Sequence, residues 1–241
     1  MKSERLKKIE AENKKYEQET PFNFCDRWCE RCIHEKQMRC KLYQDELEQK
    51  LTCIAHGKDE NDLEITEQVM RRQLEDMGKK LQSAIEEQGI DIDFEQEDFS
   101  ATEETANPRK PLKDDPLLAT AHEYFLRAHE FLKATFYDEN TPAAKLIGDF
   151  ETVSWYHALL KVKLQRALNG FDDPDDEDDD DDFALHDSVE QFTICQKAIK
   201  ESIKALRNIQ ADYPEQKTII VQLLALLNNI AHRIKNLEQS I

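Results

Sequence analysis

The chain has 241 residues, a formal net charge of −18, and only 5 glycines and 7 prolines. Glycine at about 2%, against a usual ~7%, leaves too little turn chemistry for a barrel, a sandwich or a phosphate-cradling loop, and points to an all-α protein. Such acidity opposes binding to nucleic-acid phosphates and anionic membranes, and no run approaches the roughly eighteen apolar residues of a membrane span.

Residues 1–20 read as a charged helix with a thin apolar stripe of Leu6, Ile9 and Tyr16, interrupted by Pro21-Phe22-Asn23-Phe24. The opening Met-Lys-Ser-Glu-Arg-Leu-Lys-Lys puts charges where a secretory signal needs an apolar stretch. A cytoplasmic chain is expected, with cysteines reduced or metal-bound rather than paired in disulfides.

Residues 21–58 hold five of the 6 cysteines. Cys25, Cys29, Cys32 and Cys40 stand as Cys-x3-Cys-x2-Cys-x7-Cys, a frame of soft ligands that selects zinc or, alternatively, an iron–sulfur cluster. His34, Cys53 and His56 are reserve ligands. On one straight helix Cys25 and Cys40 would lie about 22 Å apart, so a shared ion demands breaks in the chain. The metal reading therefore expects Cys25 in the Pro21–Phe24 loop and Cys29 and Cys32 on the first turns of a helix. The chain then reverses over 33–39, and Cys40 opens a second helix. Asp26 is the candidate cap of the first helix and Trp28 the candidate cover of the site. Arg27, Arg31, Lys36, Arg39 and Lys41 offset the charge of a four-thiolate zinc. The competing reading is one unbroken helix over 26–56, with the cysteines as ordinary buried thiols on a single stripe.

Cys25-x3-Cys29-x2-Cys32 also resembles the cluster motif of the radical S-adenosylmethionine enzymes, over eight residues of this chain. Arg31 stands where that family usually has an aromatic residue. The glycine-rich segment and the alternating strands and helices that hold its cofactor are absent, so the family's activity is not carried over.

An amphipathic helix is expected over 59–89, with Leu63, Met70, Leu74, Met77, Leu81 and Ile85 on one packing face and Gly89 as its cap. It could pair with the N-terminal helix within one chain or between chains. Residues 90–115 lose the helical period and read as an acidic flexible linker, with Ile90, Ile92, Phe94 and Phe99 alternating with acids.

Residues 116–241 read as an antiparallel four-helix bundle, with helices near 116–137, 145–169, 184–212 and 215–238. The second carries Ile147, Phe150, Val153, Leu160, Leu164 and Leu168 on one face. The third carries Leu185, Val189, Phe192, Ile199, Ile203 and Leu206, with Cys195 among them. The fourth carries Ile220, Leu223, Leu227, Ile230, Ile234 and Leu237. Residues 172–182, ten acids and a proline, form a disordered acidic loop without the spaced ligands of a calcium site. His157 interrupts the second helix's apolar face and is expected to be a core histidine satisfied by a backbone carbonyl or by a side chain on a neighbouring helix; His122 and His129 fall at the edge of the first helix's face.

The expected function is non-catalytic. A structural four-cysteine site leaves no open coordination position, and the bundle serves as scaffold or protein-binding module. The alternatives are an iron–sulfur or redox protein on the same cysteines, and an enzyme with a pocket around His157 involving Ser154, Tyr124 or Gln196.

Overall fold

A computed structural model describes residues 3–88, 115–137, 142–171 and 183–241. The expected linker over 90–115, the acidic loop over 172–182 and the Gly89 cap lie outside the described residues, apart from Asp115. All regular structure among the described residues is helical, with no strand. In chain order the α-helices are α1 (Glu4–Glu19), α2 (His34–Arg39), α3 (Lys41–Ala55), α4 (Leu63–Gln88), α5 (Pro116–Leu132), α6 (Ile147–Phe171), α7 (Phe183–Asp212) and α8 (Lys217–Glu238).

Their starts follow local chemistry. Ser3 caps α1 by accepting from the Leu6 amide at 3.0 Å. Asp115 caps α5 by accepting from the amides of Leu117 and Leu118 at 2.7 and 3.0 Å, with Pro116 in the first turn where its missing N–H costs nothing. A single π-type turn, Lys133–Tyr137, follows α5, and the Thr135 hydroxyl donates back to the Phe131 carbonyl at 2.6 Å. Pro214 opens the short 3-10 turn that separates α7 from α8.

The chain divides into two compact units, Met1–Trp28 with Pro108–Ile241, and Cys29–Asn107. In the first, α5 packs on α6 and α8, and α7 packs on α6 and α8. The expected apolar faces supply that core. Phe150, Val153, Leu160, Leu164 and Leu168 are buried on α6, with Ile147 exposed at its start. Val189, Phe192, Ile199 and Leu206 are buried on α7, and Ile220 to Ile234 line the buried side of α8. Cys195 is fully buried among them, where burial pushes its thiol pKa well up.

The α6–α7 pair is drawn together at one end. A Cβ on Gly170 would lie 2.6 Å from the Ser188 hydroxyl and 2.7 Å from the Ala184 carbonyl oxygen, so only glycine permits this approach. Arg166 grips Asp187 through two hydrogen bonds of 2.7 Å. Against α7, Leu6 and Ile9 of α1 close a small satellite core with Val189.

The second unit is sparser. A turn at Gly57 (φ 69°) connects α3 to α4. The two helices enclose a core of only Cys53, Ile65 and Val69.

Candidate metal-binding segment

The chain between α1 and α3 is not one helix. A 3-10 turn spans Pro21–Phe24 and hands over to Cys25 in extended conformation (φ −139°, ψ 166°). Arg27 then adopts a left-handed conformation (φ 54°), uncommon for a side chain of its size. That bend aims the Arg27 amide at the Cys25 sulfur, 3.4 Å away, while the Cys25 thiol donates to the Phe22 carbonyl at 3.6 Å. Cys25 belongs to the first unit.

In the second unit, Cys29 opens a 3-10 turn, Cys29–Arg31, and Cys32 follows it with its amide on the Cys29 carbonyl at 3.1 Å. The helix expected to carry both cysteines begins later, at His34 with Ile33 as its cap. Gln37 explains the delay. Its side-chain amide donates to the Cys29 carbonyl at 2.7 Å, so α2 satisfies the turn from outside. Cys40 sits, buried, at the joint between α2 and α3 in extended conformation (φ −84°, ψ 109°). The unbroken helix over 26–56 is thereby excluded.

No disulfide joins the 6 cysteines. Among the described residues no three side chains of His, Cys, Asp or Glu are gathered around a common ion position. The segment is broken, but not as a shared ion requires: 33–39, expected to reverse the chain, is largely the helix α2, and within the second unit Cys29, Cys32 and Cys40 are not gathered about one centre. Of the reserve ligands, His34 and His56 are exposed. Cys53 is part of the α3–α4 core, its sulfur 3.8 Å from the Asp62 carbonyl and the Thr66 hydroxyl.

Asp26 does not play the part the sequence suggests. No helix starts at Asp26. Its carboxylate is buried in the first unit, accepting from the Tyr156 hydroxyl at 2.5 Å, the Lys197 ammonium at 2.8 Å and the Trp28 amide at 3.4 Å. Burial alone would raise its pKa, but the Lys197 and Tyr156 contacts outweigh burial and hold it below the ordinary value. Trp28 stacks on Trp155 at 5.3 Å and meets the edge of Tyr156 at 5.7 Å, within the main core. The Trp155 indole N–H donates to the Asp26 carbonyl at 3.0 Å. Residues 26–28 thus clamp the segment carrying Cys25 to α6 and α7. Sequence reasoning missed this clamp; its only signal was a tryptophan off the apolar face of α6.

His157 is packed as a core histidine. Its Nδ1 lies 2.6 Å from the Ser154 carbonyl and must carry the proton to bond it. Its ring stacks on Phe125 at 5.4 Å and on His129 at 5.8 Å. Burial, and then the neighbouring His129, lowers its pKa against the opposing pull of the carbonyl, so the ring is neutral at pH 7. The companions expected for a pocket are engaged elsewhere: the Ser154 hydroxyl with Tyr137 at 2.6 Å, and Gln196 with Glu238 at 2.8 Å. Tyr124 is fully buried in the main core.

No helix among the described residues is long and apolar enough to cross a membrane. The chain matches no family model, no curated protein and no solved structure.

Proposed function

We propose that this chain is a non-catalytic, cytoplasmic metal-binding protein in which Cys25, Cys29, Cys32 and Cys40 hold one zinc ion as four thiolates. The observation that carries the reading is the position of the backbone breaks. None of the four cysteines lies within regular α-helix: Cys25, Cys29 and Cys32 share the non-α stretch 20–33, Cys40 separates α2 from α3, and an amide already points at the first sulfur. No strong turn former lies within 33–40, so local propensity alone does not account for the break at Cys40. Zinc would supply the missing cross-link. Binding would be coupled to closure of the segment, as in small metal modules whose ligands assemble only with the ion. Four thiolates leave no open position, so the role is structural. Arg31, Lys36, Arg39 and Lys41 would offset the charge of the site.

In this reading α5 to α8 form an antiparallel four-helix bundle that serves as scaffold for a protein partner. The Asp26–Trp28 clamp ties the first ligand to that scaffold.

Elemental analysis of protein purified without added metal tests the reading, with Cys29→Ser as control. One zinc per chain, lost in the variant, is expected. Iron with a brown colour would replace zinc by a cluster on the same thiols. A metal-free protein with four freely titrating thiols would overturn the proposal.

A further inference from the structure

Helix α4 has two apolar sides, and among the described residues only one of them is packed. Ile65 and Val69 face α3 and complete the small core with Cys53. On the other side, about 135° around the helix at ~100° per residue, lies the stripe of Leu63, Met70, Leu74, Met77 and Leu81. These five are 85%, 49%, 59%, 61% and 62% exposed, the reverse of the packing role that their spacing suggests. Leucines and methionines exposed in one contiguous stripe mark an interaction surface.

We propose that α4 pairs antiparallel with α4 of a second copy of this chain. The spacing 63-70-74-77-81 follows heptad d and a positions, the pattern of a coiled-coil seam. An antiparallel pair centred between Glu75 and Asp76 puts Met70 against Leu81, Leu74 against Met77, and the same two layers again by symmetry. Every central layer then joins a leucine to a methionine, and the stripe is complementary to itself, as a two-fold interface must be.

Charge selects the orientation. A parallel pair would stack Glu67 on its own copy inside the seam, whereas the antiparallel pair sets it against Ala84. At the flanks Arg71 meets Gly78 and Gln73 meets Lys80, so no like charges oppose. A Cβ placed on Gly78 would meet nothing within 4 Å, which leaves that flank open to a neighbouring helix.

The area is sufficient. At roughly 120 Å² of apolar surface per fully exposed side chain, the stripe offers about 400 Å² per copy. A standard interface buries about 800 Å² per partner, a little over half of it apolar, and therefore asks for about the same. The inference does not depend on metal binding, because none of these residues is a candidate ligand.

Sedimentation equilibrium of the full chain tests it. The wild type is expected to be a dimer, and Leu74→Glu with Met77→Glu a monomer of unchanged helicity, since both side chains are exposed within one copy. A second variant reads the orientation. Met70→Glu alone should break the dimer, and adding Leu81→Lys should restore it, because those residues face each other only in the antiparallel pair. A wild type that stays monomeric to about 100 μM, or a dimer indifferent to the Leu74/Met77 changes, would overturn the proposal. Failure of the Leu81→Lys rescue would overturn the antiparallel register.

Discussion

The helices α5 to α8 and the pair α3–α4 were built from the same amphipathic signal and put it to different uses. On α6 and α8 the stripes that stand out in the sequence are the stripes that are buried: Phe150, Leu160, Leu164, Leu223, Leu227 and Ile230 are each at most 1% exposed. On α4 the stripe that stands out is exposed, and a weaker one, Ile65 and Val69, does the packing. Helical period tells which face is apolar, but it does not tell what covers that face. The difference lies in the number of helices available. Each of α5 to α8 packs on two of the others, while α3 has 15 residues to offer a helix of 26.

The sharpest way to break the comparison is to truncate one residue in each region. Phe192→Ala should destabilise the first unit by about 3–5 kcal/mol, because a fully buried ring leaves a cavity between packed helices. Leu74→Ala should change the stability of a single copy by less than about 0.5 kcal/mol. Urea unfolding followed by tryptophan emission reads the first unit, which holds both Trp28 and Trp155, and far-ultraviolet circular dichroism of the same samples reads the helices of the second. Equal costs would contradict the contrast.

Gly170→Ala is expected to cost about 1–3 kcal/mol in the same assay, since the added methyl meets the Ala184 carbonyl, a backbone atom that cannot swing away. Gly78→Ala, at an open position of α4, should instead stabilise that helix by up to about 1 kcal/mol.

Asp26→Ala should cost about 1–2 kcal/mol, moderated because Lys197 is 57% exposed and its ion pair is screened. The variant should also shift tryptophan emission as Trp28 and Trp155 lose their clamp. Asp26 is held below its ordinary 3.8, so its contribution is present above about pH 4 and is lost as pH falls through the folded value. Acid unfolding of the variant should lack that component. Identical acid profiles would remove Asp26 from this role.

A further effect lies at Glu190, half-buried on α7. Burial, followed by the charges of Glu17 and Asp187, raises its pKa to about 7. A raised carboxylate destabilises the fold once ionised, so stability should fall as pH rises from about 4.5 through 7. Glu190→Gln should therefore gain on the order of 1 kcal/mol at pH 8 and nothing at pH 4, measured by thermal unfolding at both pH values. A gain that is the same at both would contradict this assignment.

Much of the helical body was legible because its signals are local. Pro116 and Pro214 fall at helix starts, and long 3.6-residue stripes name the core of α6 and α8 almost residue by residue. The cysteine segment was legible in part. A reversal over 33–39 was expected from the reach of a metal ion, but that stretch is the helix α2, whose Gln37 bonds the Cys29 carbonyl eight residues back. The Asp26–Trp28 clamp was not legible at all. Its partners Trp155, Tyr156 and Lys197 are more than a hundred residues away, and no local pattern joins them.

X-ray absorption at the zinc edge of the purified full chain tests the metal assignment most directly. Four sulfur neighbours at about 2.3 Å, falling to three in Cys25→Ser, are the expected result. A shell of nitrogen and oxygen, or one unaltered by that substitution, would contradict it.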